Sequence, residues 1–160
     1  MKENDSSVSR QINKANALID AGKPEEAEKS LRNFLAGHPD CSAALFNLGT
    51  ALVRQGRDDD ALKVFTRVLK QEGDAVDALN EIGLIRYRAR HFAGAETSFR
   101  DALFLDENDS RVLNNLGVLY FVQNRYAEAE SFFARAAEID PDNEDYRINL
   151  GDTRAELQKN

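Results

Sequence analysis

Small residues recur every 34 residues along this chain of 160 residues. One series at that spacing consists of glycines: Gly49, Gly83, Gly117 and Gly151. A second consists of alanines: Ala27, Ala61, Ala95 and Ala129. A third consists of bulky apolar residues: Leu31, Phe65, Phe99 and Phe133. A period of this length predicts stacked supersecondary units, each of which buries its apolar face against its neighbours.

Residues 42–75 indicate what each unit folds into. Apolar side chains return at helical spacing over residues 45–53, which predicts one amphipathic helix. Gly56 follows and supplies the left-handed residue that a helix end favours. The acids at 58–60 then open a second helix, where they cap free amides and meet the positive end of the helix dipole. Because Gly73 and Asp74 end that helix, each unit is predicted to be a helical hairpin.

The glycine and alanine series are expected to lie where the two helices of a hairpin cross closely. A larger side chain there would push the helices apart, and the aromatic residue of the third series fills the space beneath. Replacing Gly117 or Ala95 by leucine is therefore expected to overpack the crossing, at a cost of about 1–3 kcal/mol.

The charge and the cysteine content limit the possible partners and compartment. The net charge is -7, and an acidic chain lacks the clustered lysine and arginine that neutralise nucleic-acid phosphates. Cys41 is the single cysteine, so an internal disulfide is impossible and a reducing compartment is favoured. No apolar run approaches the length of a membrane span, and the N-terminus has no apolar signal region. We expect a cytoplasmic protein that neither binds nucleic acid nor inserts into membranes.

No arrangement of residues in the sequence is typical of catalysis. His38 and His91 lie in different repeats, and neither has a nucleophile and an acid arranged around it. Cys41 lies at a repeat junction, where it is expected to be a small packing residue. A glycine-rich phosphate loop and a calcium-loop pattern are both missing from the sequence. The sequence therefore predicts a protein that is not an enzyme and that needs no cofactor or metal.

Four first-helix motifs and three second-helix motifs carry a family resemblance. The first-helix motifs are LFNLG at 45–49, NEIG at 80–83, LNNLG at 113–117 and INLG at 148–151. The second-helix motifs are DDALKVF at 59–65, AGAETSF at 93–99 and AEAESFF at 127–133. With these motifs the chain resembles the tetratricopeptide repeat (TPR) family. The resemblance implies an all-α, right-handed α-solenoid superhelix of TPR hairpins.

The resemblance also divides the chain. It implies four repeats followed by one C-terminal capping helix: 8–41, 42–75, 76–109, 110–143 and 144–160. Residues 1–7 are expected to form a disordered N-terminus. Arg147 and Arg154 occupy positions that are apolar in inner repeats, so the last helix is expected to expose that face to water and to close a complete array.

In the family the first helix of every hairpin lines a concave groove, and the resemblance implies that a peptide or partner segment binds there. Asparagine amides offer donors and an acceptor to an extended peptide backbone, although they can equally tie one helix to the next. Large apolar side chains offer anchors, or pack between hairpins. Arginines can pair with ligand carboxylates, or with solvated acids of the chain. The predicted contact residues are Asn47, Asn80, Leu84, Tyr87, Arg88, Arg111, Asn114, Asn115, Val118 and Phe121.

The predicted function is that of a non-enzymatic adaptor or scaffold that binds a protein or peptide in this groove. Two alternatives stay open at this point. One is an assembly protein that associates with itself through its ends or its convex face. The other is a TPR chaperone of a bacterial secretion system, although such chaperones have more divergent repeats. A monomer is favoured, and a homodimer is possible.

Overall fold

A computed structural model describes residues 2–71 and 75–159, with side chains described for 8–71 and 75–159. All of the regular structure in these residues is helical. The helices are α1 (Lys2–Asp20), α2 (Pro24–Gly37), α3 (Ser42–Arg54), α4 (Asp58–Val68), α5 (Ala75–Arg88), α6 (Phe92–Leu105), α7 (Ser110–Phe121), α8 (Tyr126–Ile139) and α9 (Glu144–Leu157). The prediction of an all-α chain of helical hairpins is confirmed.

The chain divides into two compact units, unit 1 (Met1–Ala78) and unit 2 (Leu79–Asn160), and the division falls within α5. The predicted repeat boundaries stay predictions. The helix end expected at Gly73 and Asp74 lies outside the described residues. Disorder over residues 1–7 likewise stays a prediction, because Met1 and the side chains of residues 2–7 are not described, although the backbone of α1 starts at Lys2.

A residue with left-handed backbone geometry turns each hairpin. The four lie 34 residues apart and have φ angles of 60° to 72°: Gly22, Gly56, Arg90 and Asn124. The turn predicted at Gly56 is confirmed, and Asn124 occupies the equivalent place 68 residues later. Glycine adopts this region without steric cost and asparagine with little, whereas a long side chain such as that of Arg90 is strained in it.

The glycine series meets the aromatic series inside the hairpins. A Cβ atom on Gly49 would lie 2.6 Å from Cε1 of Phe65 in unit 1. In unit 2, Cβ atoms on Gly83 and on Gly117 would collide with the rings of Phe99 and Phe133. All three rings are buried. The hairpins close because these positions carry no side chain, as the sequence predicts.

Helix beginnings depend less on side-chain caps than the sequence predicts. Arg57 is the N-cap residue of α4 and makes no side-chain cap bond, and the acids Asp58 to Asp60 follow it within the first turn. Asp60 pairs with Arg57 at 2.7 Å, and amide capping by the acids of this turn stays a prediction. The charge of Asp60 still lies at the positive end of the helix dipole. Asp109, by contrast, accepts hydrogen bonds from the backbone N–H groups of Arg111 and Val112 and caps α7.

Glu96 links three helices in unit 2. Its Oε1 accepts a 2.6 Å hydrogen bond from the hydroxyl of Tyr120 on α7 and a 3.0 Å bond from Nε of Arg100 on α6. Nη1 of Arg125, just before α8, lies 3.7 Å from its other oxygen. The Tyr120 bond, opposed by burial, lowers the pKa of Glu96, while burial and Glu96 together raise the pKa of Tyr120. The carboxylate thus stays charged and joins neighbouring hairpins.

Glu28 makes an equivalent link in unit 1, 68 residues earlier in the sequence. Its carboxylate accepts hydrogen bonds from Arg32 at 2.8 Å, from Gln55 at 2.9 Å and from Arg57 at 2.9 Å. Burial raises the pKa of Glu28, but the bonds from Gln55 and Arg32 outweigh it and lower the pKa overall. Each unit therefore has a carboxylate that ties one hairpin to the next.

Candidate protein-binding surface

Nine of the ten predicted contact residues lie in unit 2, on α5 and α7. We call the face of α5, α7 and α9 that carries the unit 2 asparagines the candidate surface. Its asparagines are Asn80, Asn114, Asn115 and Asn149. Asn149, on α9, is the sixth residue of its predicted segment, as Asn47 and Asn115 are of their predicted repeats, but it does not belong to the predicted contact set.

Two amide pairs join the helices of the candidate surface. Nδ2 of Asn115 on α7 donates to Oδ1 of Asn80 on α5 at 2.7 Å. Nδ2 of Asn149 on α9 donates to Oδ1 of Asn114 on α7 at 2.9 Å. Asn80 is only 6% exposed, so its paired oxygen has little access to water. The amides therefore hold one helix to the next, and only their remaining donors and acceptors are available to a ligand.

Asn47 lies in unit 1 and makes a different bond. It is 8% exposed, and its Nδ2 donates to the backbone carbonyl of Ala43 in its own helix at 2.9 Å. The acceptor position one repeat earlier is held by Ile12, which has no side-chain acceptor. The difference between Asn47 and Asn115 follows from that neighbouring position.

An aromatic and basic depression of about 190 Å³ lies at the turn between α5 and α6. Its lining residues are Tyr87, Arg88, Arg90, Phe92 and Val122. The Tyr87 and Phe92 ring centroids are 6.0 Å apart, and the guanidinium carbon of Arg90 lies 5.4 Å from the Phe92 ring centroid. Val122 is 44% exposed, so it presents apolar surface in this depression. Tyr87 and the exposed Arg88 belong to the predicted contact set, which stays a prediction, whereas Arg90, Phe92 and Val122 do not belong to it.

A second and smaller pocket, of about 140 Å³, lies between α7 and α9. It is lined by Val118, Phe121, Phe133, Asn149 and Asp152. Val118 and Phe121 were predicted from the sequence. The Phe121 ring also contacts Tyr126 edge to face at 5.3 Å, so part of it is structural. Asp152 was not predicted, although counting the 34-residue period from Val118 reaches it directly.

The two remaining predicted residues of unit 2 have less to offer a ligand. Nη2 of Arg111 binds the carboxylate of Asp109 at 2.6 Å at the start of α7. That bond opposes the effect of burial and helps to lower the pKa of Asp109. Leu84 is half-buried on α5. Arg111 thus already has a carboxylate partner in the same turn.

His38 and Cys41 lie in the short segment between α2 and α3. The His38 ring stacks on Phe34 with centroids 4.3 Å apart, and Cys41 is half-buried with a free thiol. Within 8–71 and 75–159, no three histidine, cysteine or acidic side chains come together as metal ligands would. None of the helices in the described part of the chain combines the length and the apolarity needed to cross a bilayer.

Solved structures share this architecture. PilF from Pseudomonas aeruginosa aligns with a TM-score of 0.86 at 19% identity, covering 97% of this chain and 71% of PilF. MamA from Desulfovibrio magneticus RS-1 aligns with a TM-score of 0.76 at 21% identity, covering 94% of this chain and 85% of MamA. YrrB, described as a TPR protein with an unusual peptide-binding site, aligns with a TM-score of 0.68 at 24% identity, covering 92% of this chain and 76% of YrrB. At these identities the likeness establishes the fold alone.

Comparison by sequence agrees with the fold. None of the curated proteins compared with this chain matches it. The family model described as "Tetratricopeptide repeat" matches three overlapping segments, 12–78, 49–109 and 80–144, which together span most of the chain. The hairpins, the glycine–phenylalanine contacts and these matches lead to one conclusion. The chain belongs to the tetratricopeptide repeat family.

Proposed function

We propose that the protein is a non-enzymatic cytoplasmic adaptor that binds a peptide or a segment of a partner protein on the candidate surface of unit 2. One observation carries the proposal: two partly apolar pockets, of about 190 and 140 Å³, lie along the same helices as the amide pairs. Apolar depressions beside a few polar groups are typical of surfaces that take the side chains of a bound segment.

The chemistry of the surface supports a peptide more than a small molecule. Both pockets are smaller than the cavities of about 300–1,000 Å³ that enclose drug-sized ligands, and each has room for one or two side chains. The N–H groups of the half-buried Asn114 match the carbonyl groups of a peptide backbone. YrrB, of similar fold, is described as having a peptide-binding site, which agrees with this assignment.

Affinity capture from the native lysate tests the proposal. The binding variant combines Tyr87→Ala with Val122→Ser, which removes apolar surface from the larger pocket and leaves Asn80 and Asn114 intact. Wild type and variant should have the same helical melting curve. We expect a protein that wild type captures and the variant loses. A partner that both retain equally would place binding elsewhere and contradict the proposal.

Self-association is a second candidate function, and the ends of α6 and α8 favour it. Phe104 is 89% exposed, and Leu105 and Ile139 are 55% and 41% exposed. Their helix neighbours Leu103 and Ala137 pack against one core cluster of unit 2. Exposed apolar patches commonly mark protein interfaces.

The mass of the protein as a function of concentration tests this second candidate. We expect a constant monomer mass in sedimentation equilibrium if Phe104 faces only solvent. A mass that rises with concentration, and returns to that of a monomer in Phe104→Ser, would instead establish self-association. Phe104→Ser also serves as the matched control in the capture experiment, since it should leave binding at the candidate surface unchanged.

A further inference from the structure

We infer that the pocket between α7 and α9 binds a lysine or arginine side chain of the ligand. This inference rests on the proposed function and names the side chain that one part of the candidate surface recognises. The pocket joins an apolar wall to one carboxylate within about 140 Å³. A long cationic side chain has the same two parts, an aliphatic stem and a charged end.

The apolar wall comes from Val118, Phe121 and Phe133. Phe133 is 1% exposed, because its ring is held against Gly117 in the hairpin core, so this part of the wall is rigid. Val118 and Phe121 are half-buried and have surface left to cover. A stem of three or four methylene groups would cover that surface, and a cation near the Phe121 ring would gain attraction from its π face.

The polar end of the pocket comes from Asp152 and Asn149 on α9. Asp152 is exposed, and in the described part of the chain no cation lies within ion-pair distance of it. This distinguishes it from the acids of the inter-hairpin links, since Glu96 and Glu28 are each bound to arginine. Nδ2 of Asn149 donates one hydrogen bond to Asn114. The Oδ1 atom of the same amide can accept a hydrogen bond from an ammonium or guanidinium group.

The carboxylate of Asp152 stands at a position of the 34-residue period that is apolar in the two preceding hairpins. The equivalent residue is Leu84 on α5 and Val118 on α7, and it becomes Asp152 on α9. The position that is apolar on α5 and α7 is therefore acidic on α9. An acidic ligand residue would be repelled there, and an apolar one would cover Asp152 without pairing it, which is costly.

A random dodecapeptide library displayed on phage is the probe. It is panned against wild type, against Asp152→Asn, and against Glu138→Gln, which removes the same charge from an exposed position at the end of α8. The variant Tyr87→Ala/Val122→Ser serves as the counter-selection for binding elsewhere on the chain. Enriched peptides are then synthesised and their dissociation constants are measured, with norleucine in place of each lysine or arginine in turn.

We expect wild type to enrich peptides with a lysine or arginine at one fixed position relative to an apolar residue. Replacing that cation by norleucine, or Asp152 by asparagine, should each weaken binding about fivefold or more, and the two changes together should weaken it no further. Glu138→Gln should leave the dissociation constant within about twofold of the wild-type value. Changing the cation to glutamate should favour Asp152→Lys over wild type.

Two other results would each overturn the inference and differ in what they say of the proposed function. In the first result, the enriched peptides no longer bind Tyr87→Ala/Val122→Ser, but they have no preferred cation or they bind Asp152→Asn as tightly as wild type. This result would support the peptide surface and contradict the cation pocket. Failure of wild type to enrich any peptide over Tyr87→Ala/Val122→Ser would contradict the peptide surface itself.

Discussion

Cε1 of Phe133 lies 2.6 Å from the point that a Cβ atom on Gly117 would occupy. Real Cβ atoms do not approach other carbon atoms so closely, so either the ring or the helix would have to move. Gly83 and Phe99 have the same relationship in the preceding hairpin of unit 2. Gly151 on α9 belongs to the same series, but no atom beyond its own stretch of helix lies within 4 Å of its Cβ position.

This contrast gives a matched pair of substitutions. Gly117→Ala should lower the free energy of unfolding by about 1–3 kcal/mol, because the added methyl group overpacks the crossing of α7 and α8. Gly151→Ala should leave it unchanged or raise it by up to about 1 kcal/mol, because alanine favours a helix more than glycine does. Urea unfolding followed by circular dichroism measures both. Equal effects of the two substitutions would mean that the Phe133 contact does not control packing.

The Asn80–Asn115 pair predicts a coupling energy. Asn115→Ala removes the donor and leaves the buried Oδ1 of Asn80 without its partner, so it should cost about 1–3 kcal/mol of stability. Asn80→Ala should cost a similar amount. A double-mutant cycle should give a coupling of about 1 kcal/mol between the two. Additive losses would show that the bond contributes nothing and that the amides are free for a ligand.

The left-handed turn at Arg90 predicts a stabilising substitution. An L-residue with a long side chain is strained at φ 60°, whereas glycine is not. Glycine also has more conformational freedom in the unfolded chain, which offsets part of the gain. Arg90→Gly should therefore stabilise the protein by about 0.5–1 kcal/mol in net terms. Gly56→Ala, at the equivalent turn of unit 1, should destabilise by a similar amount. Thermal melts of the two variants should shift in opposite directions. A lower melting temperature for Arg90→Gly would show that the Arg90–Phe92 contact outweighs the strain.

Acid should weaken the protein partly through Glu96. Its pKa in the folded state is lowered below the ordinary value of 4.5, chiefly by the hydrogen bond from Tyr120. The stabilisation is therefore present above pH 4.5 and is lost as the pH falls through the lowered pKa. In Glu96→Gln, the melting temperature should fall less than in wild type between about pH 5 and pH 3.

Tyr120→Phe provides the companion variant for Glu96. It removes the bond that contributes most to the lowered pKa, so it should also flatten the acid side of the stability curve. Glu28 and Asp109, whose pKa values are lowered too, should keep some slope in both variants. A curve for Glu96→Gln that runs parallel to the wild-type curve would contradict the prediction.

The sequence was sufficient for the hairpins because their determinants are local and periodic. Gly56 and Asn124 mark turns by their own backbone preference, and the match between Gly117 and Phe133 follows from small and large residues at a constant separation. The motifs that carry the resemblance to the family recur with the same period. Predictions of this kind need no knowledge of neighbouring hairpins.

The candidate surface was harder to predict because it depends on which residue faces which between hairpins. The sequence shows asparagine at the sixth position of four of the five predicted segments, namely Asn13, Asn47, Asn115 and Asn149. It does not show that Asn115 meets Asn80, or that Asn47 binds to its own helix. Asp152 was missed for a related reason, since its pocket is made by Val118 and Phe121 of another helix. Which side chains of two helices meet depends on how the helices pack, and the sequence of one repeat does not contain that information.

The offset of the amide pairs has a consequence for how such an array can lengthen. Each pair runs from the sixth residue of one predicted repeat or segment to the fifth residue of the predicted repeat before it. Helix α7 carries asparagine at both places, Asn114 and Asn115, whereas α5 has only Asn80 and α9 has only Asn149. A tandem duplication of residues 110–143 would therefore supply a donor and an acceptor at the new junction and preserve both existing pairs. Among the segments joined by these amides, residues 110–143 can be duplicated so that every asparagine at the two junctions keeps an amide partner.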